Sequence, residues 1–314
     1  MVIVENDKEI MKCLVAGWFS FEQMGATAGD LIARDLLCDR LRDAGISYEV
    51  AVAPPFTDGV DWRKLAPENF TDVIFVCGPF GNGWPVTEML ERFAGKRFTG
   101  VNLSMLQSLE EWNPFQLLLE RDSSRCTHPD ITFMGPEPKL PLVGVIEVHL
   151  QKEYGKRAMH LQVEEHISAL LKEKKACAVR IDTSLIDNEN GFTMPEEVET
   201  LISRMDLVVT TRLHGTVLSL KNGVPVIPID PISGGAKIAM QVKELGWPLL
   251  FKPEDLHEGV LESAFEFCRT DEARMLARKC GWENRQKVRS LLDNFMSDFT
   301  ANKQHRASVK KMIQ

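Results

Sequence analysis

Asp206 to Ile229 read DLVVTTRLHGTVLSLKNGVPVIPI. Asp206 to Thr210 form an apolar run of strand length, rich in β-branched residues. Arg212 to Asn222 carry helical spacing and end at Gly223, the residue type that closes helices in the left-handed region. Val224 to Ile229 form a second apolar run. Strand, helix and strand in such quick succession make a βαβ unit, so the two strands are parallel. In a sheet of that kind ligands sit at the carboxyl ends of the strands. The turn Thr210-Thr211-Arg212-Leu213-His214-Gly215 occupies that place. Thr211 reads as the N-cap, with Arg212, Leu213 and His214 in the first helical turn and Gly215 letting a ligand approach the backbone. Free amides and the positive end of the helix dipole favour an anion there. The Arg212 guanidinium adds a planar fork suited to phosphate or carboxylate. In the plainer reading, Arg212 pairs with a carboxylate from another domain and His214 is a satisfied histidine. Both residues on one capped turn favour a ligand site.

The same rhythm extends in both directions. Upstream, Cys13 to Gly17 is a strand. Thr27 to Ala44 is a helix with Leu31, Ile32, Leu36, Leu37 and Leu41 on one face, stopped by Gly45. Tyr48 to Val52, Asp72 to Cys77 and Thr99 to Leu103 are further strands. Between Asp122 and Pro141 the pattern breaks, with Pro129, Pro136, Pro138 and Pro141 and no helical spacing. It restarts with a strand over Leu142 to Leu150, a helix over Ala158 to Lys174, a strand over Ala176 to Ile181 and a helix over Pro195 to Arg204. Beyond Ile229 come helices at Ala236 to Leu245, His257 to Arg269 and Asp271 to Phe299, then a polar, basic tail from Ala301. The expected fold class is α/β: two doubly wound Rossmann-like domains, GT-B-like. The domains span 1–135 (acceptor side) and 136–270 (donor side). A C-terminal helix and tail over 271–314 is expected to pack back on the N-terminal domain.

The 314 residues suit two cores rather than one. A net charge of −8 argues against a general nucleic-acid partner but leaves room for one local anion pocket. The 7 cysteines are scattered, with no CxxC pair, and read as reduced thiols. No apolar run is long enough to cross a bilayer and the N-terminus is no signal peptide, so the cytoplasm is the expected location, without stable membrane insertion. A homo-oligomer is left open. His160, Glu164 and His166 do not follow the His-Glu-x-x-His order, and no metal is assigned.

A second anion-friendly turn follows the strand ending at Ile229. Gly234 and Gly235 expose amides ahead of a helix, and Lys237 adds a point charge; a plain loop is the equal alternative. On the N-terminal side, Gly29 and Asp30 begin a helix, with Asp30 complementing the helix dipole or meeting sugar hydroxyls. The loop from Gly78 to Trp84 holds Gly81 and Asn82, with Trp84 read as packing ahead of the alternative that it stacks on a sugar ring. His149, Arg157, His160, Arg180 and Asp182 are strand-end or helix-entry residues placed to line the donor pocket. Arg180 is expected to form a surface salt bridge.

The run from Asp206 resembles the signature of the polysaccharide pyruvyl transferase family: a strand, Arg-Leu-His, a helix, then Gly-Val-Pro and a second strand. Thr27-Ala28-Gly29-Asp30, Gly78 to Gly83 and Glu120-Arg121-Asp122-Ser123-Ser124 resemble further elements of that family in the same order. The glycine loop has fewer consecutive glycines than the family's. The resemblance implies transfer of the enolpyruvyl or pyruvyl group of phosphoenolpyruvate to a sugar hydroxyl, giving a pyruvate ketal, with phosphoenolpyruvate as donor substrate and no cofactor. It implies His214 as the acid and Arg212 and Leu213 at the donor; Gly215, Ser233, Gly234, Gly235 and Lys237 join the donor side from their places in the two helix-start turns. Gly29, Asp30, Gly81 and Asn82 fall on the acceptor side. A charged acid near neutral pH can protonate the methylene carbon, and histidine suits that task. Two other functions remain: a GT-B glycosyltransferase using a nucleotide sugar, with Glu254 or Asp255 gripping a ribose, and a non-catalytic protein that binds sugars or phosphate metabolites.

Overall fold

The computed structural model describes residues 11–22, 24–137, 139–148 and 152–312. His149 lies outside them. The chain divides into two compact units, Met1–Pro138 and Lys139–Gln314.

The first unit is built on a five-stranded sheet. Its strands are β1 (Lys12–Ala16), β2 (Ser47–Val50), β3 (Asp72–Phe80), β4 (Arg97–Met105) and β5 (Leu117–Asp122), in the order β2-β1-β3-β4-β5. Every pairing is parallel. Helices α1 (Ala28–Asp43) and α2 (Val86–Arg92) belong to this unit. Side chains alternate across β1. Leu14 and Ala16 join an aromatic core with Phe21, Trp62 and Phe75, while Cys13 and Val15 join Phe19, Ala33 and Leu41 under α1. A strand buried on both faces reads as a continuous apolar run, which is why it is visible in the sequence. β5 was not foreseen. Its sequence LLLERD turns polar midway, and Leu117 and Leu119 are exposed at the sheet edge. The register also slips between Val101 and Ser104 of its neighbour.

The second unit carries β6 (Leu142–Ile146), β7 (Cys177–Arg180), β8 (Leu207–Thr210) and β9 (Val226–Pro228) in the order β7-β6-β8-β9, again all parallel. Around them lie α3 (His160–Glu173), α4 (Pro195–Ile202), α5 (Leu213–Lys221), α6 (Lys237–Leu245), α7 (Val260–Cys268) and α8 (Asp271–Met312). One apolar core joins the strands to Val163, Ile202, Leu220, Phe265 and Ala277 of these helices. The strand expected to reach Leu150 ends at Ile146. The expected third segment is α8, which packs against α5 and α7 of this same unit. A Cβ at Gly281 would stand 2.3 Å from the Leu220 carbonyl oxygen, so that glycine lets the helices meet. The backbone stays helical to Met312, past the expected end at Phe299.

In each sheet the strand order reverses beside the first strand, between β1 and β3 and between β6 and β8. Doubly wound sheets open a crevice at such a point, because the following helices leave to opposite faces.

Candidate functional site

In the second unit the turn after β8 is tighter than expected. α5 begins at Leu213, and Arg212, with φ −108° and ψ 139°, is its N-cap. Thr211 does not cap the helix: its hydroxyl accepts the Val148 amide at 2.9 Å. The Thr210 hydroxyl accepts the Arg212 amide at 3.0 Å and donates to the Ile146 carbonyl at 2.8 Å, tying β8, β6 and the helix start together. Gly215 is buried, and its role is packing rather than ligand approach. A Cβ there would lie 2.2 Å from Thr210 Oγ1 and 3.1 Å from Ile146 Cγ2. The first turn of α5 carries no side-chain cap.

Leu213 and His214 line a cavity of about 190 Å³ together with Tyr154, Asp230 and Lys237. His214 is exposed. Arg212 is not in that lining. Its Nη1 donates to Thr183 Oγ1 at 2.9 Å and lies 3.6 Å from Asp182 Oδ1, a carboxylate of its own unit. Its Nε is buried without a partner. Asp182 is itself held by the Ser184 amide at 2.8 Å.

The second turn differs from its expected role. Gly234 and Gly235 are both left-handed, at φ +78° and +79°. The Gly234 amide donates to Glu254 Oε1 at 2.9 Å, and the Ser233 hydroxyl also bonds that carboxylate. The Ser233 hydroxyl holds the Glu254 carboxyl below its usual range. Glu254 is therefore a loop anchor and not a free ribose grip. Arg157 closes the other side of the loop, donating to the Ser233 and Gly235 carbonyls. Asp230, only 1% exposed, accepts the Ala236 and Ala239 amides at 2.6 and 3.0 Å. The anion seat at the start of α6 is thus filled by the protein's own carboxylate. Of this turn's proposed ligand residues, only Lys237 reaches the cavity of His214.

A second cavity of about 390 Å³ opens at the ends of β6 and β7, lined by Glu147, Val148, His160, Glu164, Arg180 and Asp182 among others. Arg180 pairs with Glu147 at 2.5 Å. Burial pushes the Glu147 carboxyl up, against the pull of Arg180. Burial pushes the His160 imidazole down, partly offset by Asp230 and Glu153. Both His160 ring nitrogens are buried without a partner.

In the first unit a cavity of about 610 Å³ is lined by Trp18, Thr27, Gly29, Asp30, Gly78, Arg121 and Asp130. Its polar groups bind one another. Asp30 Oδ2 accepts the Thr27 amide and hydroxyl, both at 2.7 Å, in a capping box. Arg121 pairs with Asp130 at 3.0 Å and also bonds Ser104. Asp130 takes Asn102 Nδ2 at 3.1 Å and the Thr132 amide at 2.9 Å. Gly81 and Asn82 do not line this cavity. The Asn82 amide donates to Gln107 Oε1 at 3.1 Å, and a Cβ at Gly81 would meet Leu106 at 2.9 Å. Trp84 is 71% exposed and does not pack as expected.

Sequence reasoning missed Asp130, Asp230 and Glu147. Asp130 lies in the proline-bearing stretch read as a passage, though its bond to the Thr132 amide is the turn that aspartate favours. Asp230 gave a weak signal as an aspartate ahead of a helix start. Glu120, Cys126 and His128 bring ligand-type atoms within 4.8 Å of one another. Glu120 is taken by Arg125 at 2.7 and 2.8 Å, and His128 Nδ1 faces the Glu120 carbonyl at 2.9 Å.

The sequence profile of the polysaccharide pyruvyl transferase family matches residues 145–233, from within β6 to the loop after β9. No curated protein sequence matches the chain. Among solved structures, UDP-GlcNAc 2-epimerase from Methanocaldococcus jannaschii matches at 10% identity, over 84% of this chain and 94% of its own, with a TM-score of 0.31. The spinosyn rhamnosyltransferase SpnG matches at 11% identity, over 90% of this chain and 100% of its own, at 0.32. MurG from Acinetobacter baumannii matches at 11%, over 86% and 95%, at 0.28. Among the described residues, no helix is long and apolar enough to cross a membrane.

Proposed function

We propose that the second unit binds phosphoenolpyruvate at the start of α5 and that the protein is a GT-B-like transferase moving its pyruvyl group to a sugar. The reading rests first on one contrast. The amides opening α6 are neutralised by Asp230, whereas α5 opens without a side-chain cap in a cavity that holds His214 and Lys237. Asp230 also lines this cavity but is committed to the α6 amides, so a bound phosphate or carboxylate supplies the counter-charge at the start of α5. The family profile covers Arg212 and His214. Size supports the same donor. About 190 Å³ is small beside the ~300–1,000 Å³ of typical ligand pockets, so a three-carbon phosphate suits it better than a nucleotide sugar.

In the reaction His214 protonates the donor's methylene carbon, and two sugar oxygens bond in turn to the adjacent carbon as phosphate leaves. Of the two hydroxyl protons, one balances the new methyl group and the other departs with phosphate. Lys237 neutralises the leaving group. Arg212 is assigned as donor clamp from the family resemblance; it stands outside the cavity lining, so in that role it turns from Thr183 and Asp182 toward the donor.

Ligand-dependent melting tests the donor. Phosphoenolpyruvate at a hundred times its Kd stabilises the native state by about 2.7 kcal/mol, and Arg212→Ala loses that response. A response to UDP, GDP or CMP instead, unchanged in Arg212→Ala, transfers the function to nucleotide-sugar chemistry.

A further inference from the structure

We propose that the 390 Å³ cavity at the ends of β6 and β7 is a binding site for an uncharged polyhydroxyl ring, a sugar, with His160 as the residue that reads it. The cavity lies wholly within the second unit and is distinct from that of His214, with only Val148, among the described residues, in both linings. It has the size of a small-molecule pocket.

Its chemistry selects the ligand. Glu147, Glu164, Asp182 and Glu189 line it, against Arg180 in the lining and Arg212 beside Asp182, so carboxylates outnumber guanidiniums four to two. That surplus of carboxylates repels a second phosphate. A simple cation would find acceptors but no use for the donors, which are Arg180 and the first turn of α3, where Met159 provides no side-chain cap. A sugar hydroxyl both donates and accepts, so a ring of hydroxyls satisfies both sets. Val145, Val148, Leu161 and Ile181 supply apolar wall for the ring's carbon face.

His160 makes the site more than a cleft. An imidazole has one donor and one acceptor when neutral, and here both nitrogens are shut away unpaired. Leaving such groups unpaired costs stability, because a buried donor or acceptor gives up its hydration without gaining a partner. In the proposed complex the ring turns so that sugar hydroxyls meet these nitrogens. As the acceptor side of pyruvyl transfer this site rests on the reading above; as a sugar site it does not.

The probes are methyl β-D-glucopyranoside and methyl β-D-galactopyranoside, followed on the intact chain by saturation-transfer NMR and by ¹⁵N-histidine spectra. The expected result is binding of at least one glycoside, with a shift of the His160 ring nitrogens. His160→Phe weakens binding at least tenfold while the protein melts no lower than the parent, because the orphaned nitrogens are gone. Should that variant fail to fold, Leu161→Trp, at an exposed lining position, blocks the cavity and must also abolish binding. Phosphoenolpyruvate-dependent melting persists in both variants. Absence of glycoside binding, binding untouched by His160→Phe and Leu161→Trp, or displacement of the glycoside by UDP each overturns the proposal. Glycoside binding without any response to phosphoenolpyruvate keeps the sugar site and removes the pyruvyl reading; the converse removes the sugar site alone.

Discussion

The crevices of the two sheets occupy equivalent topological positions and differ in how their polar groups are used. In the first unit Asp30 caps α1, Arg121 is shared among Asp130, Ser104 and Asp122, and Asn102 holds Asp130. In the second, Arg212 Nε and both nitrogens of His160 are unpaired and buried, and α5 opens uncapped. Buried polar groups are nearly always paired, since an unpaired one forfeits its hydration without return. A network closed on itself is a scaffold. A crevice with spare donors has groups left over for a ligand, and the proposed donor and sugar sites rest on them. The second unit also contains its own control, because α6, one strand along from α5, is already supplied with a carboxylate by Asp230.

The largest expected effect strikes the open site. His214→Asn should lower pyruvyl transfer by about 10²–10⁴-fold, the usual contribution of a positioned acid, while the phosphoenolpyruvate-induced rise in melting temperature persists. Equal loss of both would make His214 a binding group and remove its role as acid.

Next is the closed network. Glu120 is buried and pairs through both oxygens with Arg125, which holds its carboxyl down to about 2 from its ordinary 4.5. A depressed carboxyl stabilises the fold fully above the unfolded value, and that stability is lost as pH falls from about 4.5 towards 2. Arg125→Met should therefore lower the urea unfolding midpoint at pH 7, and the deficit should narrow at pH 3. A deficit that ignores pH would assign the effect to packing instead.

Asp230→Asn should cost about 1 kcal/mol, the weight of a helix cap. It should speed hydrogen exchange at the Ala239 amide more than in α5, which has no such carboxylate to lose. Equal exchange in both helices would erase the contrast drawn between them.

The smallest effect is the acid response of His160. Its folded value lies below the ordinary 6.5, so the unfolded chain takes the proton first and stability falls as pH drops below about 6.5. Comparing melting temperatures at pH 7.5 and 5.5, His160→Phe should show the shallower decline. An identical decline would place the acid sensitivity elsewhere.

Sequence alone settled the two parallel α/β units, because strands buried on both faces and helices with one apolar face leave local periodic signatures. β1, β6 and β8 were readable for that reason, and β5, half polar at an edge, was not. The turn carrying Arg212 and His214 was also legible, since a strand end, a helix start and a cationic pair are all local features. Which polar groups are already satisfied was decided only in three dimensions. That Asp230 and Glu254 occupy the amides around Gly234, that Arg212 turns to Asp182, and that Gly81 and Asn82 stand away from Asp30 are facts of long-range pairing. Neither composition nor spacing records them, because a hydrogen bond depends on where two distant segments meet and not on the identity of either one.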